Sequence, residues 1–231
     1  MYDALAYRNF IGNASVPLLR RAVVEEVGGY DPSLKARGGE GCGDWDLTLR
    51  IAEKHDVRLV PAYLSGYRAV TDSMSDNTAS MARSFNLVIQ RVEQSSCDVP
   101  PHSLRWARAN FYRYLAAQSY NAGHFETALR WLRASVRQDP TAMLSSWILK
   151  TAFKSAVRSL ASPATSLVWE DHEEWLAFKS HFVLDLSDPP SIDQLQYRPE
   201  SVAESWEPRW WKPHDQIRAY RWRRTKERCG F

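Results

Sequence analysis

The chain has 231 residues, 44% hydrophobic and 25% charged, with a formal net charge of +3 at pH 7. That balance excludes a disordered polymer, and so mild a charge gives no reason to expect a nucleic-acid partner. No apolar run reaches the length of a membrane span, the first residues lack the basic and apolar regions of a signal peptide, and three scattered cysteines (Cys42, Cys97, Cys229) point to a reducing, cytoplasmic setting.

In chain order, "NFIGNASVPLLRRAVVEEVGGYDPSL" reads as a strand or extended lead-in followed by a helix around Arg20–Val27. Gly28-Gly29 stops that helix and Asp31-Pro32 starts a turn. A second helix is expected after the glycine-rich "GGEGCG", with Leu47 and Ile51 on one face, Asp44 as its N-cap and Asp46 in its first turn. "VRLVPAYLSGYRAV", Val57 to Val70, is β-branched and aromatic, which predicts a strand broken or edged by Pro61. "NTASMARSFNLVIQRVEQ" returns to helical spacing, with Met81, Phe85, Val88 and Val92 on one face. Residues 1–95 therefore read as mixed α/β.

From 96 to 162 the chain reads as helical. Leu104, Ala107, Phe111 and Leu115 repeat at helical spacing, as do Phe125, Ala128, Leu132 and Val136. Leu149, Phe153, Val157 and Leu160 do so after Asp139-Pro140. Tyr112, Leu115, Ala116, Tyr120, Gly123, Phe125, Ala128, Leu132 and Pro140 resemble one tetratricopeptide unit, with Ser119 and Ser135 departing from it. No second copy follows at the expected period, so an ordinary helical hairpin is the competing description. Within 163–231, "WEDHEEWLAFKSHF" reads as a helix and "LSDPPSIDQLQYRPES" as a linker. The basic, Trp-rich "PRWWKPHDQIRAYRWRRTKERCGF" is either a tail whose tryptophans pack back on the helices or a peripheral contact with the inner face of a membrane.

The stretch "GGEGCGDWDLTLRIAE", Gly38 to Glu53, carries the chemistry. Four glycines let the backbone approach a ligand or take positive φ, Glu40 adds an acid, and a tryptophan between two aspartates offers a flat surface for a sugar ring. A carboxylate beside an apolar wall is a means of tuning proton abstraction. A glycosidase using Asp44 with Asp46 fits poorly, because residues two apart on a helix point to different sides.

With its flanks, the stretch resembles the acceptor-side half of a family 2 glycosyltransferase, the inverting GT-A class. Gly28-Gly29-Tyr30-Asp31, Gly43-Asp44-Trp45-Asp46-Leu47, Tyr67-Arg68 and Ser73-Met74-Ser75 stand in the family's order. The resemblance covers residues 5–95 and implies a partial, Rossmann-like α/β fold, followed by the all-α extension. It implies Asp44 as the general base that deprotonates the acceptor hydroxyl, with Trp45, Asp46 and Glu40 shaping the acceptor site. Arg68 would face the diphosphate leaving group. Gly43 stands where the family has glutamate, and Val70 where some relatives have a metal-contacting histidine.

The family's Asp-x-Asp segment, which holds Mg²⁺ or Mn²⁺ with the nucleotide sugar, has no counterpart here, and no metal site is expected in this chain. The expectation is a hexosyltransferase fragment, truncated, split or served by a separate donor-binding half. Its partners would be a nucleotide-sugar donor and a carbohydrate or lipid-linked acceptor. The competing reading is a non-catalytic helical interaction module with a relic glycosyltransferase segment.

Overall fold

The computed structural model describes residues 1–58, 60, 65, 77–161 and 213–229. Among them there is no strand, so the α/β expectation for residues 1–95 is corrected: the described fold is mostly helical. The lead-in expected to be extended shows why. The Asn9 side chain accepts from the backbone N–H groups of Ile11 at 3.1 Å and Gly12 at 3.3 Å, and Asn13 from that of Ser15 at 2.8 Å. Such local bonds satisfy the backbone in turns and leave nothing for a ladder. Most of the expected strand Val57–Val70 lies outside the described residues, as do Tyr67-Arg68, Ser73-Met74-Ser75 and the stretches 169–182 and 186–201.

The first helix, α1 (Tyr2–Tyr7), is short but wholly engaged, with Leu5 and Ala6 sealed from solvent. Helix α2 (Arg21–Glu26) ends as expected at Gly28 and Gly29, both at positive φ, where the Gly29 N–H returns to the Val24 carbonyl at 2.9 Å. Asp31 accepts from the Ser33 N–H and starts α3 (Ser33–Ala36). Helices α4 (Gly43–Ala52), α5 (Thr78–Gln94) and α6 (Pro101–Asn121) then build the main core with α1.

That core holds Leu5, Trp45, Leu49, Phe85, Ile89, Leu104 and Ala107. Phe85 stacks on Phe111 with ring centroids 4.1 Å apart, and Trp45 packs against both rings. One core thus runs across residue 95. Burying side chains of this size supplies about 1.5–3 kcal/mol each, enough to hold short helices that would not form alone.

Helix α7 (Phe125–Gln138) folds back on α6 through Gly123, at φ +76°, with the His124 N–H bonded to the Ser119 carbonyl at 2.8 Å. The two serines that depart from the repeat pattern are buried: Ser135 donates to the Ala109 carbonyl at 2.9 Å, and Ser119 meets Thr78. A 3-10 turn (Pro140–Leu144) leads into α8 (Ser146–Ala161).

The period expected for α8 is present but its phase differs. Ile148, Thr151 and Ser155 face inward, whereas Leu149, Phe153 and Val157 are exposed. Arg158 donates to the Tyr120 hydroxyl and lies over the Phe125 ring, and Arg113 lies over Trp147, which together fix this rotation.

The C-terminal helix α9 (Pro213–Cys229) packs on α1 and the 3-10 turn. Arg221 is buried in a two-pronged pair with Asp139, bonds Thr141, and stacks 4.3 Å over the Trp106 ring. Trp222 packs against Tyr7 and Arg228 reaches Asp3.

Candidate functional site

The glycine-rich loop at 38–43 is pressed against α5. A Cβ on Gly39 would come within 2.7 Å of the Ser84 Cα, and one on Gly41 within 3.0 Å of the Met81 side chain. Ser80 ties the loop down, donating to the Gly38 carbonyl at 3.1 Å and accepting from the Glu40 N–H at 3.0 Å, while Arg83 donates to the same carbonyl. At Gly39, then, the missing side chain lets two pieces of backbone approach each other, and at Gly41 it makes room for the Met81 side chain. Glu40 stays half-buried on the loop and pairs with the exposed Lys35 at 3.3 Å.

The loop delivers the chain into α4 two residues earlier than expected. Cys42 stands at the cap position without a side-chain cap bond, and Asp44 lies inside the first turn. The Cys42 thiol is buried, its pKa pushed up to about 12 by burial, so it is inert packing and not a nucleophile.

The three residues that follow face different ways, as a 100° step per residue requires. Trp45 is in the core, its indole N–H donating to the Leu5 carbonyl at 2.8 Å. Phe85 and Phe111 lie against its ring, where a sugar was expected to stack. Asp46 is equally buried. Its Oδ2 accepts from Arg50 at 2.9 Å and its Oδ1 from Arg91. Arg91 also grips Asp31, while Arg50 donates to the carbonyls of Val27 and Gly29.

Asp31, Arg91, Asp46 and Arg50 thus bolt the Gly-Gly-Tyr-Asp turn to the start of α4. The hydrogen bond from Arg91 holds the Asp31 carboxyl down to about 2, helped by Ser33. Arg91 is the residue that sequence reasoning missed. It lies off the apolar face of α5, and only its place on the helix bearing Phe85 and Val88 hinted that it could reach α4.

Asp44 differs from Asp46. It is half-buried, its Oδ1 accepts from the Trp45 N–H at 2.7 Å, and no cation among the described residues pairs with it. Burial raises its pKa above the ordinary carboxylate value, against the pull of the backbone N–H groups of Trp45 and of Asp44 itself. A carboxylate held at a helix start, short of counter-charge and partly desolvated, is equipped to accept a proton.

Tyr30 adjoins this site. It is 55% exposed, and its ring lies 3.6 Å from where a Cβ on Gly43 would stand. The structure sets the Tyr30 ring against Gly43, one residue before Asp44, and turns Trp45 and Asp46 inward. Arg68 lies outside the described residues.

Among the described residues no group of three or more His, Cys, Asp or Glu side chains could hold a metal ion, and no helix is long and apolar enough to cross a membrane. No protein-family model, curated protein or solved structure matches the chain.

Proposed function

We propose that the chain carries the acceptor-side segment of an inverting, family 2-type glycosyltransferase, with Asp44 as the general base. What carries this reading is the difference between two carboxylates in one helical turn. Asp46 has both oxygens spent on arginines, while Asp44 is half-buried, with a raised pKa and no cationic partner among the described residues. The Asp31–Arg91–Asp46–Arg50 network supports it further, because it joins two of the four motifs on which the sequence resemblance rests.

In the step proposed, an acceptor hydroxyl donates its proton to the Asp44 carboxylate as its oxygen attacks the anomeric carbon of the donor sugar. The nucleoside diphosphate leaves with the electrons of the broken bond. A metal held with the donor would balance charge on that diphosphate, and the described residues do not fit such an ion. The proposal assigns the donor site to a nucleotide-sugar-binding segment or partner outside the described residues. The unpaired Cys42 and Cys97 support a cytosolic site of action.

The test is transfer of labelled sugar from a panel of nucleotide sugars with Mg²⁺ or Mn²⁺. The protein is expressed in its native host, so that any donor-binding partner is present. Asp44→Asn is expected to lower transfer by about 10²–10⁴-fold, the usual span for a general base. Transfer undiminished in Asp44→Asn overturns the proposal.

A second reading has one observation in its favour. Leu149, Phe153 and Val157 form an exposed apolar row along α8, as a helical interaction module would present to a partner. Retained partner binding in a protein that shows no sugar transfer under any of these conditions would favour it.

A further inference from the structure

We infer that the acceptor is a pyranose sugar whose C–H face docks on the exposed ring of Tyr30, beside Asp44. This rests on the reading of Asp44 as the base and narrows the acceptor class. Three observations carry it.

The first is that Tyr30 is a large ring left more than half in water inside a segment that is otherwise tied down. A loose loop would explain exposure of that kind, and residues 29–31 are not loose. Arg50 donates to the Gly29 carbonyl at 2.6 Å and Arg91 grips the Asp31 carboxylate. Both neighbours of Tyr30 are therefore anchored to the buried Asp46, and the ring is presented by a fixed backbone. Preorganisation of this kind lowers the entropic cost of binding.

The second is what adjoins the ring. Gly43 has no side chain, and any side chain there would start in contact with Tyr30 at 3.6 Å. The bare glycine leaves that edge of the ring uncovered, one residue before Asp44. A ligand lying on Tyr30 therefore sits next to the helix start that bears the base.

The third is the mismatch of surface chemistries. An aromatic face beside a carboxylate suits a molecule with both C–H-rich and hydroxyl-rich surfaces. A pyranose has these, axial hydrogens on one face and hydroxyls around the rim. A phosphorylated or carboxylated acceptor would bring a second negative charge toward Asp44, which has no cationic partner among the described residues.

The experiment is ligand-observed NMR and calorimetric titration of the chain with methyl β-D-glucopyranoside, methyl α-D-mannopyranoside and N-acetylglucosamine, with glycerol 3-phosphate as the non-pyranose comparison. Binding of at least one pyranose is expected. Tyr30→Ala should weaken it about tenfold, Tyr30→Phe should retain it, and Gly43→Leu should weaken it by covering the ring edge. Tyr30 is exposed, so its variants keep the fold, which circular dichroism verifies.

Asp44→Asn separates the two levels of the reading, because it should keep pyranose binding and lose transfer. No pyranose binding, or binding indifferent to Tyr30→Ala, overturns the inference while leaving the role of Asp44 standing. Transfer that survives Asp44→Asn removes the role of Asp44, whatever the binding shows. Preference for glycerol 3-phosphate over all three sugars also overturns the inference.

Discussion

Replacing Arg91 by methionine removes one cation from a carboxylate that is 1% exposed. Breaking a buried pair by deleting one partner costs about 3–5 kcal/mol, because the charge left behind has lost its water as well as its partner. Asp46 keeps Arg50 at 2.9 Å, which sets the Asp46 side of the loss near the lower end, about 3 kcal/mol. The bond to Asp31 is nearer the surface, with the Arg91 side chain 40% exposed, and adds about 1 kcal/mol at most. The total of about 3–4 kcal/mol corresponds to a fall in Tm of about 10 °C for a chain of this size.

Urea unfolding followed by circular dichroism at pH 7 measures the loss, and Arg91→Met/Asp46→Asn completes a double-mutant cycle. The double variant should be less destabilised than the two single losses added, since neither leaves the other's charge buried alone. The effect is also pH-dependent. Asp31 titrates near 2 in the folded chain against an ordinary 3.8, so its stabilisation is complete above 3.8 and is lost as pH falls toward 2. Arg91→Met forfeits that part, and its deficit relative to the parent should narrow in this acid window. A deficit under about 0.5 kcal/mol at pH 7, or an additive cycle, refutes the claim that Arg91 locks the turn to α4.

Gly39→Ala should destabilise by about 1–3 kcal/mol in the same urea assay, because its Cβ meets the α5 backbone at Ser84, which cannot rotate away. A neutral result would mean the loop stands off α5. His214 of α9 is buried, and burial together with Arg218, Arg221 and Arg113 lowers its pKa to about 4, opposed by Asp139. Its folded pKa is below the ordinary 6.5, so the unfolded chain takes up the proton first and stability falls as pH drops from 6.5 toward 4. His214→Phe should remove about 2 kcal/mol of the stability lost between pH 7 and pH 5, measured by urea midpoints at each pH. Equal pH slopes in the two proteins would refute it.

Most of the helices were legible because their apolar residues recur at a period that only one geometry satisfies. Met81, Phe85, Val88 and Val92 line the buried face of α5, and Gly123 turns the α6–α7 hairpin as its spacing implies. Phase was less legible than period. In α8 the row that its spacing marked as apolar, Leu149, Phe153 and Val157, lies outside, because arginine stacking from Arg158 and Arg113 decides the rotation.

The lead-in at residues 9–16 misled for a different reason. Its apolar residues suggested extension, while the Asn9 and Asn13 side chains satisfied the backbone locally. Trp45 illustrates a third limit. A tryptophan between two aspartates looks exposed in sequence, yet a helix turns consecutive residues by 100°, and a polar flank says nothing about where the middle one points.

The same turn of helix allows a last prediction that sets Asp44 apart from Asp46 without any assay of activity. Burial raises the Asp44 pKa, so at neutral pH the folded chain carries a charge it holds less comfortably than the unfolded chain does. A group of that kind subtracts from stability above its folded pKa, and the subtraction fades as pH falls and the carboxyl protonates in both states. Asp44→Asn keeps an oxygen for the Trp45 N–H, removes the unpaired charge, and should leave stability at pH 7 unchanged or higher. Asp46→Asn, which takes from Arg50 and Arg91 the buried charge they share, should destabilise. A carboxylate that the fold would be no worse without is one whose presence needs another reason, and the proton transfer proposed for Asp44 is such a reason. Urea midpoints for the two variants decide this, and a loss at Asp44 as large as that at Asp46 would make Asp44 a structural residue like its neighbour.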